Sequence, residues 1–219
     1  MDDSFSNQPA ISDERFCRAA GVVAPAVAAV GVIYSVAFVL NLRGGGRTTE
    51  TVAAASLLVG SLIATPVLVA IYVRLRGGGP GFALWALLVS SIAAVGSAIH
   101  GAYDLARIIN PPDRAIGVIG DLPNPVDPRG LLTFGLAGIG TLVLGRLILR
   151  TGLLPHRLGL LATVLGIALV VIYLGRLIIL NPKNPLLLGT AAIAGLVLNP
   201  LWWVWLGIEL RSYRDPGMA

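Results

Sequence analysis

His100, Tyr103, Asp104 and Arg107 form the one place in the sequence where a long apolar run ends in ionisable groups of mixed type. His100, Asp104 and Arg107 fall at i, i+4 and i+7, a spacing that presents all three on one face of a helix. Imidazole beside carboxylate suits proton exchange, with Asp104 orienting the ring and Arg107 or Arg176 holding an anionic group. The competing reading is that the group straddles the lipid headgroups, where charge costs little and Arg107 only extends to water. Either way Asp104, in a last helical turn, opposes the helix dipole and calls for a cation nearby.

Two further features are candidates. Asn199-Pro200 lies deep within the last apolar run. It predicts either a broken helix whose free carbonyls bind a substrate or ion, or a plain proline kink with Asn199 bonded to a neighbouring helix. Arg146 and Glu209 are each about one turn from a helix end that the expected topology places at the same face, so they form a candidate ion pair. Enzyme chemistry finds little to stand on. Two histidines and the single Cys17 make no metal-ligand set, and no serine sits in a nucleophile-elbow context. No cofactor is expected, and the sequence is read as non-enzymatic.

The elements that carry these residues follow from composition. Of 219 residues 56% are hydrophobic and only 12% charged, against about 25% charged in ordinary soluble domains. Mean hydropathy is +0.83. The apolar residues come in long unbroken runs, so lipid must be one of the solvents. The expectation is an all-α polytopic transmembrane bundle of six spans, at 19–42, 51–73, 81–109, 130–150, 158–180 and 186–210. Polar tails occupy 1–18 and 211–219, and Ser12-Asp13-Glu14-Arg15 suits the start of a short interfacial turn.

The connections read as turns. Arg43-Gly44-Gly45-Gly46-Arg47 and Arg74 to Pro80 are tight, and neither glycine run has the strand and Gly-Lys-Ser/Thr ending of a phosphate loop. The stretch from Asn110 to Arg129, with Asp113, Asp121 and Asp127, is long enough to fold back as a lip. Small residues spaced by four in the first run (Ala20, Ala24, Ala28) and clustered in the fourth favour close helix contact. They also offer a face to a second copy or another membrane protein. Leu144-Gly145-Arg146-Leu147-Ile148 recurs as Leu174-Gly175-Arg176-Leu177-Ile178; internal repeats mark transporters, but a chain so rich in leucine and glycine also produces such a recurrence by composition.

The net charge of +5 comes from arginines at the ends of apolar runs, with Lys183 the lone lysine. That is the pattern of topology-setting charge, and without a basic stripe and interleaved aromatics it excludes nucleic acid as a partner. Membrane lipids are the expected surroundings. Arg15, Arg18, Arg74, Arg76, Arg150, Arg157, Arg211 and Arg214 fall on one side of six spans, outnumbering the basic residues of the other. Both termini are therefore expected in the cytoplasm. The acidic, polar start predicts no cleaved leader, so the first run is expected to stay as a signal-anchor. Arginine over lysine, with heavy alanine and glycine use, points to a bacterial cytoplasmic membrane.

The segment Leu153-Leu154-Pro155-His156-Arg157-Leu158-Gly159, followed by an apolar span and a last helix bearing Trp202, Trp203 and Trp205, resembles a group of uncharacterised bacterial integral membrane proteins. Their fifth span is commonly introduced by a Leu-Pro-Arg-Trp-Leu-like turn. This chain has His156-Arg157 where Arg-Trp is common, and lacks the glutamate that those proteins often carry beside the proline of the last span. The resemblance implies a compact multi-span bundle of no established activity. Taken together, the sequence is read as an accessory or sensory membrane component. The alternative is a small transporter or lipid-handling protein with a polar site near the outer face. A transporter predicts a cavity reaching toward Asn199, and an accessory bundle predicts tight packing there.

Overall fold

The computed structural model describes residues 8–110, 130–179 and 184–213 of the chain. The lip expected beyond Asn110 with its three aspartates, the turn around Pro182 and Lys183, and the tail from Arg214 lie outside those residues.

Among the described residues every regular element is helical. Six helices are long and apolar enough to cross a membrane, which makes this a multi-pass membrane protein by length and composition. The reason is the solvent: lipid offers no partner to a free N–H or C=O, so an apolar run closes its hydrogen bonds within itself. The spans are α1 (Gln8–Leu42), α2 (Arg47–Leu75), α3 (Pro80–Ile109), α4 (Ala137–Thr151), α5 (His156–Ile179), and a sixth built from α6 (Pro185–Ile193) and α7 (Asn199–Arg211). A wide π-turn, Leu131–Leu136, leads into α4, and a second, Ala194–Leu198, joins α6 to α7.

The expected spans are all present, with shifted ends. The largest shift is in α1, which begins at Gln8, well before the expected start at 19. Its polar first turns run on as helix because they have something to hold. Asp13 Oδ2 accepts from Arg76 Nη2 at the end of α2 at 2.7 Å. Glu14 pairs with Arg18 one turn on, and Cys17 is fully buried against α2, its Sγ directed at the Ala70 carbonyl. Pro66 stays inside α2 without ending it.

Neighbours in sequence are neighbours in space, and α7 closes the ring back onto α1. Small residues set the close approaches. A Cβ at Gly207 would stand 2.8 Å from the Gly21 carbonyl oxygen, and one at Gly21 2.8 Å from that of Gly207. Between α4 and α5, a Cβ at Gly138 or Gly166 would stand 2.9 Å from the other's carbonyl oxygen. These helices pack backbone to backbone, as small-residue seams allow in lipid. Ala20, Ala24 and Ala28 are buried as their spacing predicts.

The two ends of the ring differ. Toward the amino-terminal end, Ile71, Leu75, Ile148, Leu158, Leu165, Leu206 and Leu210 fill the interior, each essentially without exposure. The opposite, distal end carries the α1–α2 turn, the end of α3, the start of the fourth span and the end of α5.

Candidate functional site

Behind the distal end lies a chamber of about 250 Å³ to which all six spans contribute. Its walls are mostly alanine, leucine and aromatic rings, with Tyr34 and Phe38 of α1 stacked on each other at 6.0 Å. Trp202, 2% exposed, and Trp203 stand at the deep end beside Asn199. A second kind of lining comes from α2 and α3. Ser56, Ser61, Ser90 and Ser97 face the chamber and make no side-chain hydrogen bond to another described residue. Ser90 and Ser97 are seven residues apart, hence on one face of α3. By contrast Ser35 and Thr141 donate to carbonyls of their own helices, Gly31 at 2.9 Å and Ala137 at 2.7 Å. Hydroxyls without a described side-chain partner therefore line the chamber from the α2–α3 side. Among the described residues no charged side chain lines it.

The ionisable residues sit at its distal rim. His100 Nε2 is 3.3 Å from Asp104 Oδ2, and His100 Nδ1 is 3.2 Å from the Thr133 hydroxyl, which itself lines the chamber. With its proton on Nε2 the neutral ring donates to Asp104 and accepts from Thr133; the imidazolium donates to both. The spacing of His100 and Asp104 was legible as one helical face, and they do meet. His100 is thus one partner of Asp104. An Asp104–Arg176 contact does not form.

Arg176 takes another position. Its guanidinium lies over the Phe134 ring, 5.7 Å from the centroid, and a Cβ at Gly130 would stand 3.6 Å from its Nη1. Phe134 is part of the chamber wall. Arg107 and Tyr103 are exposed and turn to each other, with the guanidinium 5.9 Å from the ring centroid. They stand apart from the chamber. Of the five residues expected in one cluster, the structure brings His100, Asp104 and Arg176 to the rim and leaves Tyr103 and Arg107 on the outer surface of α3.

Asn199-Pro200 does not break the last span. Pro200 sits in the first turn of α7, and the π-turn before it absorbs the missing hydrogen bond by widening the helix. No unwound carbonyl ladder is presented. Asn199 Oδ1 accepts from Trp203 Nε1 at 3.0 Å, within its own helix. Its amide nitrogen faces α1 at Gly31, where a Cβ would come within 3.0 Å. The residue is a deep wall of the chamber.

The pairing of Arg146 with Glu209 is not formed. Arg146 is exposed on α4, whose neighbours are α3 and α5, whereas α7 packs on α1. Glu209 instead accepts from Trp205 Nε1 at 3.1 Å. Equal depth does not make two residues neighbours when their helices are on different sides of a ring. Also at this end, Arg74 lies over the Tyr213 ring at 4.9 Å from the centroid.

Sequence reasoning missed the four serines and Thr133. The available signal was Ser90 and Ser97 at i and i+7 in an otherwise uncharged run. Among the described residues no group of three or more His, Cys, Asp and Glu is placed to hold a metal ion. Comparison with protein-family models, curated proteins and solved structures finds no match.

Proposed function

We propose that this is a non-enzymatic multi-pass membrane protein that receives an apolar or amphipathic small molecule in the chamber between its spans, as a lipid-handling or transport component. The observation that carries the reading is the chamber itself, which is lined by every span and reaches from the distal rim to Asn199. An accessory or sensory bundle is expected to be packed tightly toward Asn199, and the space there favours a ligand-receiving reading over it. Unpartnered serine hydroxyls along an apolar wall fit pockets in which a few placed polar groups orient a mainly apolar ligand.

Both termini in the cytoplasm, in a bacterial inner membrane, complete the proposal. The arginine distribution and the resemblance of the Leu153–Gly159 turn support that placement, which puts the chamber in the outer leaflet half.

The test is native mass spectrometry of the protein released from lipid nanodiscs. The expected result is a retained small-molecule mass on the native chain that is lost in Ala192→Phe, which fills the chamber from α6. An unliganded wild-type chain across several lipid compositions, or equal retention by the filled variant, refutes the reading.

A further inference from the structure

The chamber rim assigns a head group to the occupant. Resting on the chamber reading above, we propose that the ligand is a single-chain amphiphile with an anionic head, a carboxylate or a phosphate monoester. Arg176 binds the head and the chain runs inward toward Trp202.

Charge leads the argument. Arg176 is half-buried in an apolar span, yet no carboxylate among the described residues lies within ion-pair distance of it. Its guanidinium rests on Phe134 by a cation–π contact, which holds the group in place and leaves its five N–H donors without a hydrogen-bond partner among the described residues. An arginine at this depth is retained where it meets an anion or water, and the planar fork of donors suits carboxylate and phosphate oxygens.

Geometry supplies the rest. Thr133 and Phe134 are consecutive residues of the π-turn, with His100 on Thr133 from the α3 side and Arg176 on Phe134 from the α5 side. One turn of helix therefore carries two nitrogen groups at the rim, and both of its residues belong to the chamber wall. Gly130, one turn earlier, adds no side chain above the guanidinium. The Asp104 carboxylate meets the Nε2 edge of His100, and the Thr133 hydroxyl meets the Nδ1 edge.

Size limits the chain. About 250 Å³ falls just below the ~300–1,000 Å³ typical of small-molecule sites. That accommodates one chain segment and leaves no room for the two chains of a bilayer phospholipid. The deep end is closed by Trp202 and Trp203, where an apolar terminus fits and a charge does not.

The experiment uses those tryptophans. The full chain in zwitterionic nanodiscs, with Trp85→Phe and Trp205→Phe so that emission comes from the chamber, is titrated with three chain-brominated probes of equal length. One carries a carboxylate, one a phosphate monoester and one a neutral alcohol. The expected result is saturable quenching by all three, with at least one anionic probe bound 10-fold or more tightly than the alcohol. The tighter of the two anions identifies the head group. Arg176→Gln is expected to bring the affinities of the anionic probes down toward that of the alcohol, and Arg176→Lys to restore part of the preference. Equal affinity of wild type for alcohol and both anions overturns the anionic assignment and leaves the chamber reading standing. Absence of saturable quenching by any probe overturns both.

Discussion

Replacing Gly207 with alanine tests whether the ring closes by backbone contact. Two glycines of the sixth span provide a matched pair, because both are helical and differ only in what surrounds them. At Gly207 a new Cβ meets the Gly21 carbonyl oxygen at 2.8 Å, the Ala24 Cβ at 3.0 Å and the Pro25 Cδ at 3.1 Å. At Gly189 it meets nothing within 4 Å. Each substitution gains the same helix propensity, about 1 kcal/mol for Gly to Ala, so the gain cancels in the comparison. What remains is the overpacking at Gly207. Two of its three contacts are backbone or proline-ring atoms that cannot turn aside, so the cost should fall in the usual ~1–3 kcal/mol range. That separates the two variants by about 5- to 150-fold in their folding equilibria. The measurement is reversible unfolding in mixed micelles by denaturing-detergent titration, with thermal shift as a second readout. Gly189→Ala should be neutral to stabilising and Gly207→Ala destabilised relative to it. If both behave alike, α1 and α7 do not approach as described, and neither the ring nor its chamber survives.

Two further outcomes follow from the side-chain contacts. Trp203→Phe keeps the ring but removes the donor to Asn199 Oδ1; leaving a partly buried acceptor unpaired costs ~1–3 kcal/mol, read as a lower midpoint in the same titration, and Asn199→Leu on that background should recover part of the loss. A double-mutant cycle on Asp13 and Arg76 should return a coupling of no more than ~1 kcal/mol, because the bridge is half-exposed and screened. A larger value would mean that the first turns of α1 are held by more than this one pair.

How much of this was legible in the sequence depends on whether a feature is set along the chain or across it. Spans are set along the chain, by runs such as Leu158–Ile179 that satisfy their own backbones, and the apolar stretches mark them. Helix ends were less legible. Gln8 to Arg18 is polar, and its continuation as helix depends on Arg76 and Ala70 of another span. The His100–Asp104 contact was readable because i and i+4 are neighbours within one helix. Arg146 and Glu209 were misread because depth gives no azimuth. The chamber was not readable at all. Ser56 on α2, Phe134 beside the fourth span and Trp202 on α7 meet only after the ring has closed, and a lone serine in an apolar run looks the same whether it packs against a helix or faces a void.

The chamber occupies one half of the bundle and stops. Beyond Asn199 and Trp202 the interior is filled by Ile71, Ile148, Leu165 and Leu206, an apolar plug with no hydroxyl track through it. A hydrated ion that entered from the distal rim would have to shed its water against hydrocarbon to go further, at a cost that closes the route. In electrical terms the described interior is a low-dielectric half joined to a recessed one. The two halves therefore meet different demands: the filled half excludes polar solutes from the described interior, and the recessed half gives the proposed ligand its place.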